Sequence, residues 1–275
     1  MRSTFIDKAI IMVLLTLYFL LVPAFGNEEK LKLISTCPAI TEILYYLQLD
    51  ENIIGVSNHC DYPKETKNKV KCAGMSLDLE KIISLKPDFV LIMNGFRNGE
   101  ETILTSASLK VISLNLSNIS QIVNSIKIIG KKFNRESLAK GFERNLKLIK
   151  DTISEDFEKP PLVYVETWGN PLMSVGNSSF ISDIITAAGG KNIFSDKTQD
   201  NIQISVETIL TKNPDIIIIA YPEEVKTIYK RPLFDSLNAT KNKRVYKINP
   251  DLIVRPGPRI LDGILELHNK FIDKK

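Results

Sequence analysis

A chain of 275 residues, 44% hydrophobic and 25% charged, has the make-up of an ordinary globular protein with room for one large or two smaller domains. Its formal net charge of +4 is mild, and its basic residues are scattered without an aromatic-interleaved patch, which gives no support to a nucleic-acid binder. Three cysteines and no Cys-x-x-Cys pair likewise give little support to a redox enzyme or a structural zinc site.

The first 26 residues differ from the rest. Arg2 and Lys8 precede an uncharged apolar run of 14 residues from 9 to 22, and Ala24-Phe25-Gly26 puts small residues at the −3 and −1 positions of a cleavage site. This pattern predicts a secretory signal peptide cut before Asn27, since the run is short for a bilayer span. No cysteine lies beside the cut, so a soluble periplasmic protein is expected rather than a lipoprotein. Loss of Arg2, Asp7 and Lys8 leaves 34 basic and 31 acidic residues, net +3. Export permits a disulfide. The sequence does not choose among Cys37, Cys60 and Cys72, although Cys60–Cys72 would close a short loop and is the favoured pair.

From residue 31 onward, short apolar runs alternate with helical stretches. Strands are predicted at 31–35 and 52–56, with a helix over 39–49 between them carrying Ile43, Leu44 and Leu47 inward. A polar stretch from 57 to 75 follows, then a helix at 79–86, a strand at 88–93 and a turn-rich loop at 94–99. A helix to about 106, a strand at 110–114 and a helix over 117–132 complete the first half.

Residues 134–158 are predicted to form one long helix. Leu138, Phe142, Leu146, Ile149 and Ile153 make a continuous apolar stripe, Asn134 stands as N-cap, and Pro160-Pro161 stops the helix. At 1.5 Å per residue it would reach roughly 30–35 Å. The second half then repeats the first: a strand at 162–166, a loop at 167–171, a helix over 179–188 ended by Gly189-Gly190, a helix at 206–212 and a strand at 215–220. A helix after Pro222, a strand at 244–248 and a final helix over 258–271 close it.

The repeat is visible as text. Leu79-Glu80-Lys81-Ile82-Ile83 and Val206-Glu207-Thr208-Ile209-Leu210 both open a short helix with Glu, and each leads through Pro87-Asp88 or Pro214-Asp215 into a buried strand. Strand–helix alternation of this kind predicts an α/β fold with mainly parallel sheets. The expected organisation is two Rossmann-like lobes, residues 27–133 and 159–275, joined by one long rigid helix over 134–158, with a ligand cleft between the lobes.

Catalytic signatures are missing: no Gly-x-Ser-x-Gly, no His-Glu-x-x-His, no phosphate-cradling Gly-rich loop. His268 has charged neighbours and reads as a surface residue; His59 lies in a loop just after a strand, where open α/β sheets bind ligands. The same rule gathers Asn94, Phe96 and Arg97 from the first half. From the second half it gathers Trp168, the stretch 199–202 (with Ile202), Tyr221, Asp251 and Arg255. Trp168, the only tryptophan, sits in a loop with Gly169 and Pro171 just after it, an awkward place for a core residue. For Asp251 and Arg255 the alternative is a surface bridge with each other, worth little. Glu80 and Glu207 are each favoured by a helix dipole, and they also occupy matching spots on the two halves.

Several motifs coincide: Pro38-Ala39-Ile40-Thr41-Glu42, Gly55-Val56-Ser57 leading to Asp61-Tyr62-Pro63, Leu79-Glu80 with Leu85-Lys86-Pro87-Asp88, Ala188-Gly189-Gly190 with Asn192-Ile193-Phe194, and Pro256-Gly257-Pro258-Arg259. Together they resemble the periplasmic cobalamin-binding proteins of ABC importers, within the wider ferric-siderophore, haem and cobalamin receptor group. The resemblance implies a non-enzymatic monomer that holds cobalamin or a related corrinoid between its lobes, as cargo rather than cofactor. It implies delivery to a permease dimer in the inner membrane, with Glu80 and Glu207 docking against permease arginines. It also maps the ligand contacts onto His59, Asn94, Trp168, Ile202 and Asp251. His59, Ala73 and Met93 or Asn94 stand where cobalamin binders place Trp or Tyr. Haem or a ferric siderophore is the rival cargo, with His59 or Tyr221 as haem-iron ligand; an anionic siderophore would call for Arg97 and Arg255 to face inward.

Overall fold

The computed structural model describes residues 30–153 and 156–273; the leader and its cut lie outside the described residues. The first half contains β1 (Leu33–Ser35), α1 (Pro38–Tyr46), β2 (Ile53–Ser57), β3 (Val70–Ala73), α2 (Leu79–Ser84), β4 (Phe89–Met93), α3 (Glu100–Ser106), β5 (Val111–Leu114) and α4 (Ile119–Lys132). Its five strands form a fully parallel sheet in the order β3-β2-β1-β4-β5. Leu33, Ile34, Val90 and Leu91 are fully buried. Helices cover both faces of such a sheet, so its central strands are apolar throughout instead of alternating. β3 falls inside the stretch read as polar. It is an edge strand in which only Cys72 and Ala73 are buried, so its apolar signal is two residues long.

The long helix is α5 (Glu136–Ile153). It begins later than expected, because Asn134 has a left-handed φ of 56° and does not cap it. Ala139, Phe142, Leu146 and Ile153 are buried, and the Phe142 ring stands edge-on to Tyr46 of α1 at 5.6 Å. Gly130 lets α4 approach closely: a Cβ there would lie 2.8 Å from that of Ala139.

The second half contains β6 (Leu162–Glu166), β7 (Trp168–Gly169), β8 (Leu172–Val175), α6 (Phe180–Ala187), β9 (Lys191–Asn192), β10 (Asn201–Gln203), α7 (Val206–Lys212), β11 (Ile216–Ile219), α8 (Val225–Tyr229), α9 (Asn238–Lys241), β12 (Val245–Lys247) and α10 (Ile260–Ile272). A parallel sheet runs β12-β11-β6-β9, and a separate antiparallel sheet runs β10-β8-β7. The antiparallel sheet replaces the loop expected at 167–171. The fold is thus α/β, two lobes with mainly parallel sheets and a long helix between them.

The textual repeat is also a physical one. Asp78 caps α2 by accepting from the Lys81 N–H at 3.1 Å, and Ser205 caps α7 by accepting from the Thr208 N–H at 3.3 Å. Both helices lead into a left-handed residue, Lys86 or Asn213. Asp88 and Asp215 then reach back to the chain entering the first strand of their own sheet. They accept from the N–H of Lys32 at 2.8 Å and of Leu162 at 2.9 Å.

Two expectations are corrected here. All three cysteines are free and buried. Cys60 Sγ lies 3.2 Å from Thr41 Oγ1, while Cys72 Sγ is directed at the Val56 carbonyl. Burial pushes the Cys37 thiol up to about 12 and that of Cys72 to about 11, so both stay protonated and inert at neutral pH. His268 is not at the surface. It is 8% exposed, with Nδ1 3.2 Å from the Ala188 carbonyl and Nε2 3.0 Å from Asp156. Glu266 and Lys270 flank it in sequence, but the turn of α10 puts His268 on the buried face with Ile264 and Leu267.

Candidate functional site

The order of the first sheet reverses between β1 and β4, and crevices at such switch points are where ligands bind in open α/β sheets. The loop after β4 carries Asn94 and Phe96. In the second lobe β6 has neighbours on both sides, and Trp168 follows its carboxyl end. Between these loops lies a cleft of about 840 Å³, in the usual range of small-molecule sites. Phe96, Trp168 and Phe180 give it aromatic faces; Met93, Leu116, Met173 and Val254 add apolar surface. Its polar groups are amides and hydroxyls of Asn94, Ser117, Thr167, Ser178 and Asn201, with the carboxylate of Asp200. Among the described residues that line it there is no Arg, Lys, His or Tyr. Phe96 is 48% exposed and Trp168 51%, large apolar faces left open to solvent.

Arg97 does not enter the cleft. Its guanidinium donates to the Gly74 carbonyl at 2.8 Å, the Thr36 carbonyl at 3.1 Å and the buried Glu100 carboxylate at 3.0 Å. It thereby ties together the loops after β1, β3 and β4 and fixes the base on which Phe96 stands.

Trp168 pairs across the antiparallel ribbon with Met173, so both reach the same face. The indole N–H donates to the Asn170 carbonyl at 2.9 Å. The Tyr221 ring lies 5.9 Å from the Trp168 ring, tilted by 43°. Behind Tyr221 is the fully buried carboxylate of Glu166. It accepts two hydrogen bonds from Arg231 at 2.6 and 2.7 Å, one from Tyr221 at 2.6 Å and one from Tyr164 at 2.9 Å. Burial, reinforced by this carboxylate, pushes both tyrosine hydroxyls well above their ordinary range. They remain neutral donors.

A second charged cluster joins the lobes. Glu42 of α1, with a side chain 2% exposed, accepts from Arg259 at 2.6 and 2.8 Å and from Arg255 at 3.4 Å. Arg255 also donates to Asp61 at 2.6 Å and pairs with Asp251 at 3.1 Å, and the Arg259 guanidinium lies 4.1 Å above the Tyr62 ring. The Arg255 hydrogen bond holds the Asp61 carboxyl below the usual carboxylate range.

The residues singled out by sequence therefore separate. Asn94, Phe96 and Trp168 meet in the cleft. Tyr221 stands beside Trp168 with its hydroxyl turned to Glu166, and Asp251 and Arg255 belong to the inter-lobe cluster rather than to the lining. Ile202 packs into the second lobe's core; its neighbours Asp200 and Asn201 face the cleft instead. His59 is exposed and is not among the lining residues. Among the described residues no group of three or more His, Cys, Asp or Glu is placed to hold a metal ion. Sequence reasoning missed Leu116, Met173 and Phe180, while Asp200 and Asn201 fall in the 199–202 stretch that it gathered. The polar–apolar alternation of Asn201-Ile202-Gln203-Ile204 is the strand signal that places Ile202 inward and Asn201 toward the cleft. The turn cluster Gly176-Asn177-Ser178-Ser179 marks the start of α6 that brings Phe180 to the cleft.

Glu80 and Glu207 are exposed and hold the same place in the first turns of α2 and α7. A hydrogen bond from Ser205 lowers the pKa of Glu207, which keeps that carboxylate charged.

The profile of a family described as periplasmic binding protein matches residues 33–252. An uncharacterized ABC transporter substrate-binding lipoprotein, YvrC of Bacillus subtilis, is 34% identical over 253 residues, covering 88% of this chain and 80% of its own. A vitamin B12-binding protein of Vibrio campbellii is 26% identical over 260 residues, covering 90% and 92%. Among solved structures, a possible iron-binding (periplasmic solute-binding) protein of Staphylococcus epidermidis superposes with a TM-score of 0.77 at 32% identity, covering 88% of this chain and 98% of that one.

Proposed function

The chain belongs to the periplasmic binding protein family, an extracytoplasmic substrate-binding protein of an ABC transporter and not an enzyme, and we propose that its cargo is cobalamin or a related corrinoid. The single observation that carries this reading is the lining of the cleft: three aromatic faces, two methionines and uncharged amides and hydroxyls, with one carboxylate. A corrin presents broad apolar faces rimmed by neutral amides, which suits a wall of aromatic rings, methionines, amides and hydroxyls. Haem and anionic ferric siderophores bring carboxylate or catecholate charge that calls for Arg or Lys. Here Arg97 is committed to the carbonyls of Thr36 and Gly74, and Arg255 to Asp61 and Asp251. The Vibrio campbellii relative supports the same cargo. The Staphylococcus epidermidis structure keeps iron carriers as the competing class.

Trp168 is the only tryptophan and lines the cleft, so its fluorescence reports occupancy. Titrated with cyanocobalamin, haemin and a ferric siderophore, the leader-free protein is expected to show saturable one-to-one quenching by cyanocobalamin at the lowest concentration. Tighter binding of haemin or the siderophore would transfer the cargo to that class.

We read 27–133 and 159–275 as the two cargo-holding lobes and 134–158 as the segment that joins them. Glu80 and Glu207, charged and symmetrically placed, are the permease-docking pair in this reading; such charges supply register and steering more than affinity. Reversing both to Lys is expected to abolish uptake in cells dependent on this protein while leaving cyanocobalamin binding within about twofold. Uptake that survives the double reversal would remove the docking role. The protein's place is outside the cytoplasm; the Bacillus relative is a lipoprotein, so family membership does not support the freely soluble state expected from the leader.

A further inference from the structure

We infer that Tyr221, anchored on the buried Glu166 carboxylate, is a positioning residue that sets the pose of Trp168 and through it the affinity of the cleft, an inference that rests on the cleft being the cargo site. Trp168 needs such support. It sits on a two-residue strand paired only with β8, and its ring is half exposed. Beside it opens a second cavity of about 350 Å³, lined by Trp168, Tyr221, Pro222 and Arg231, into which an unsupported indole could turn. Tyr221 is the aromatic ring against it.

The tyrosine is itself held from both sides. Its hydroxyl donates to Glu166 Oε1 at 2.6 Å and accepts from Arg231 Nη2 at 3.1 Å, so its one proton and one lone pair are both committed. Gly169 closes the arrangement. A Cβ at that position would meet the Tyr221 hydroxyl at 2.3 Å, so a glycine directly after Trp168 is what lets the tyrosine come so close to the strand. A buried charge network of this size is costly to build for packing alone, and its outermost member is the ring that touches the cleft tryptophan.

The test compares Tyr221→Leu, Tyr221→Phe and Gly169→Ala in time-resolved fluorescence anisotropy of Trp168 without ligand, and in cyanocobalamin affinity, with thermal melts as the check on folding. Tyr221→Leu removes the supporting ring but leaves Glu166 paired with Arg231. It is expected to increase local motion of Trp168 and to raise the cyanocobalamin Kd about tenfold, the loss of one good aromatic contact. Tyr221→Phe keeps the ring but removes its anchor on Glu166, and is expected to fall between wild type and Tyr221→Leu in both anisotropy and Kd. Wild-type anisotropy and affinity in Tyr221→Leu would overturn the inference. Should Tyr221→Leu not fold, Gly169→Ala carries the same test by displacing the hydroxyl from the other side: unchanged anisotropy there overturns the inference. If wild-type protein takes no cobalamin, the cargo reading fails, and the ligand-free anisotropy still decides whether Tyr221 positions Trp168.

Discussion

Replacing Arg231 with Met is expected to destabilise the protein by about 3–5 kcal/mol, because it strands a buried charge. Glu166 is fully buried and relies on Arg231 for two short charge-assisted bonds; the tyrosine hydroxyls alone supply no positive charge. Chemical denaturation should show the midpoint moving to lower denaturant with little change in slope. Adding Glu166→Gln to Arg231→Met should recover part of the loss, since the stranded charge is then gone. A loss below about 1 kcal/mol for the single variant would mean that water reaches this carboxylate once the arginine is removed.

Phe142→Ala is expected to cost about 3–5 kcal/mol by a different route, the cavity left in a close-packed interior. Phe142 is fully buried on α5, and its ring stands edge-on to Tyr46 of α1, so it ties the long helix to the first lobe. Gly130 and Ala139 hold α4 against the same helix, leaving little freedom for the gap to collapse. Leu148→Ala on the same helix is the control. Leu148 is 59% exposed, so its truncation should change stability by no more than about 0.5 kcal/mol. Equal effects from the two variants, measured by the same unfolding curves, would contradict the burial argument.

Much of the fold was legible because its elements carry strong local signals. The Ile216–Ile219 strand is a run of β-branched residues buried on both faces, and the stripe on α5 has an unbroken helical period. The doubled Pro-Asp phrase marked the repeat, and Asp88 and Asp215 make the same backbone bond in both lobes. What escaped was short or non-local. β7 and β9 have two residues each, too few for any periodicity to register. β3 is an edge strand with two buried residues. The cleft was legible at Asn94, Phe96 and Trp168, since those loops follow the carboxyl ends of recognisable strands. The fates of Arg97, Arg255 and Tyr221 were not. Their partners stand 23, 194 and 55 residues away in the chain, and only the folded topology brings those pairs together. His59, placed after a strand by the same rule, shows the limit of that rule. β2 is not at the switch point of its sheet, and the loop after it leaves His59 outside the lining.

Cobalamin capture by the aromatic cleft between the lobes is measured most directly by calorimetric titration of cyanocobalamin into leader-free wild-type protein and into a Phe96→Ala/Trp168→Ala double variant. One-to-one binding by wild type, weakened at least about tenfold in the variant without loss of its thermal transition, is the predicted result. Absence of binding by wild type, or equal affinity in the variant, would contradict the claim.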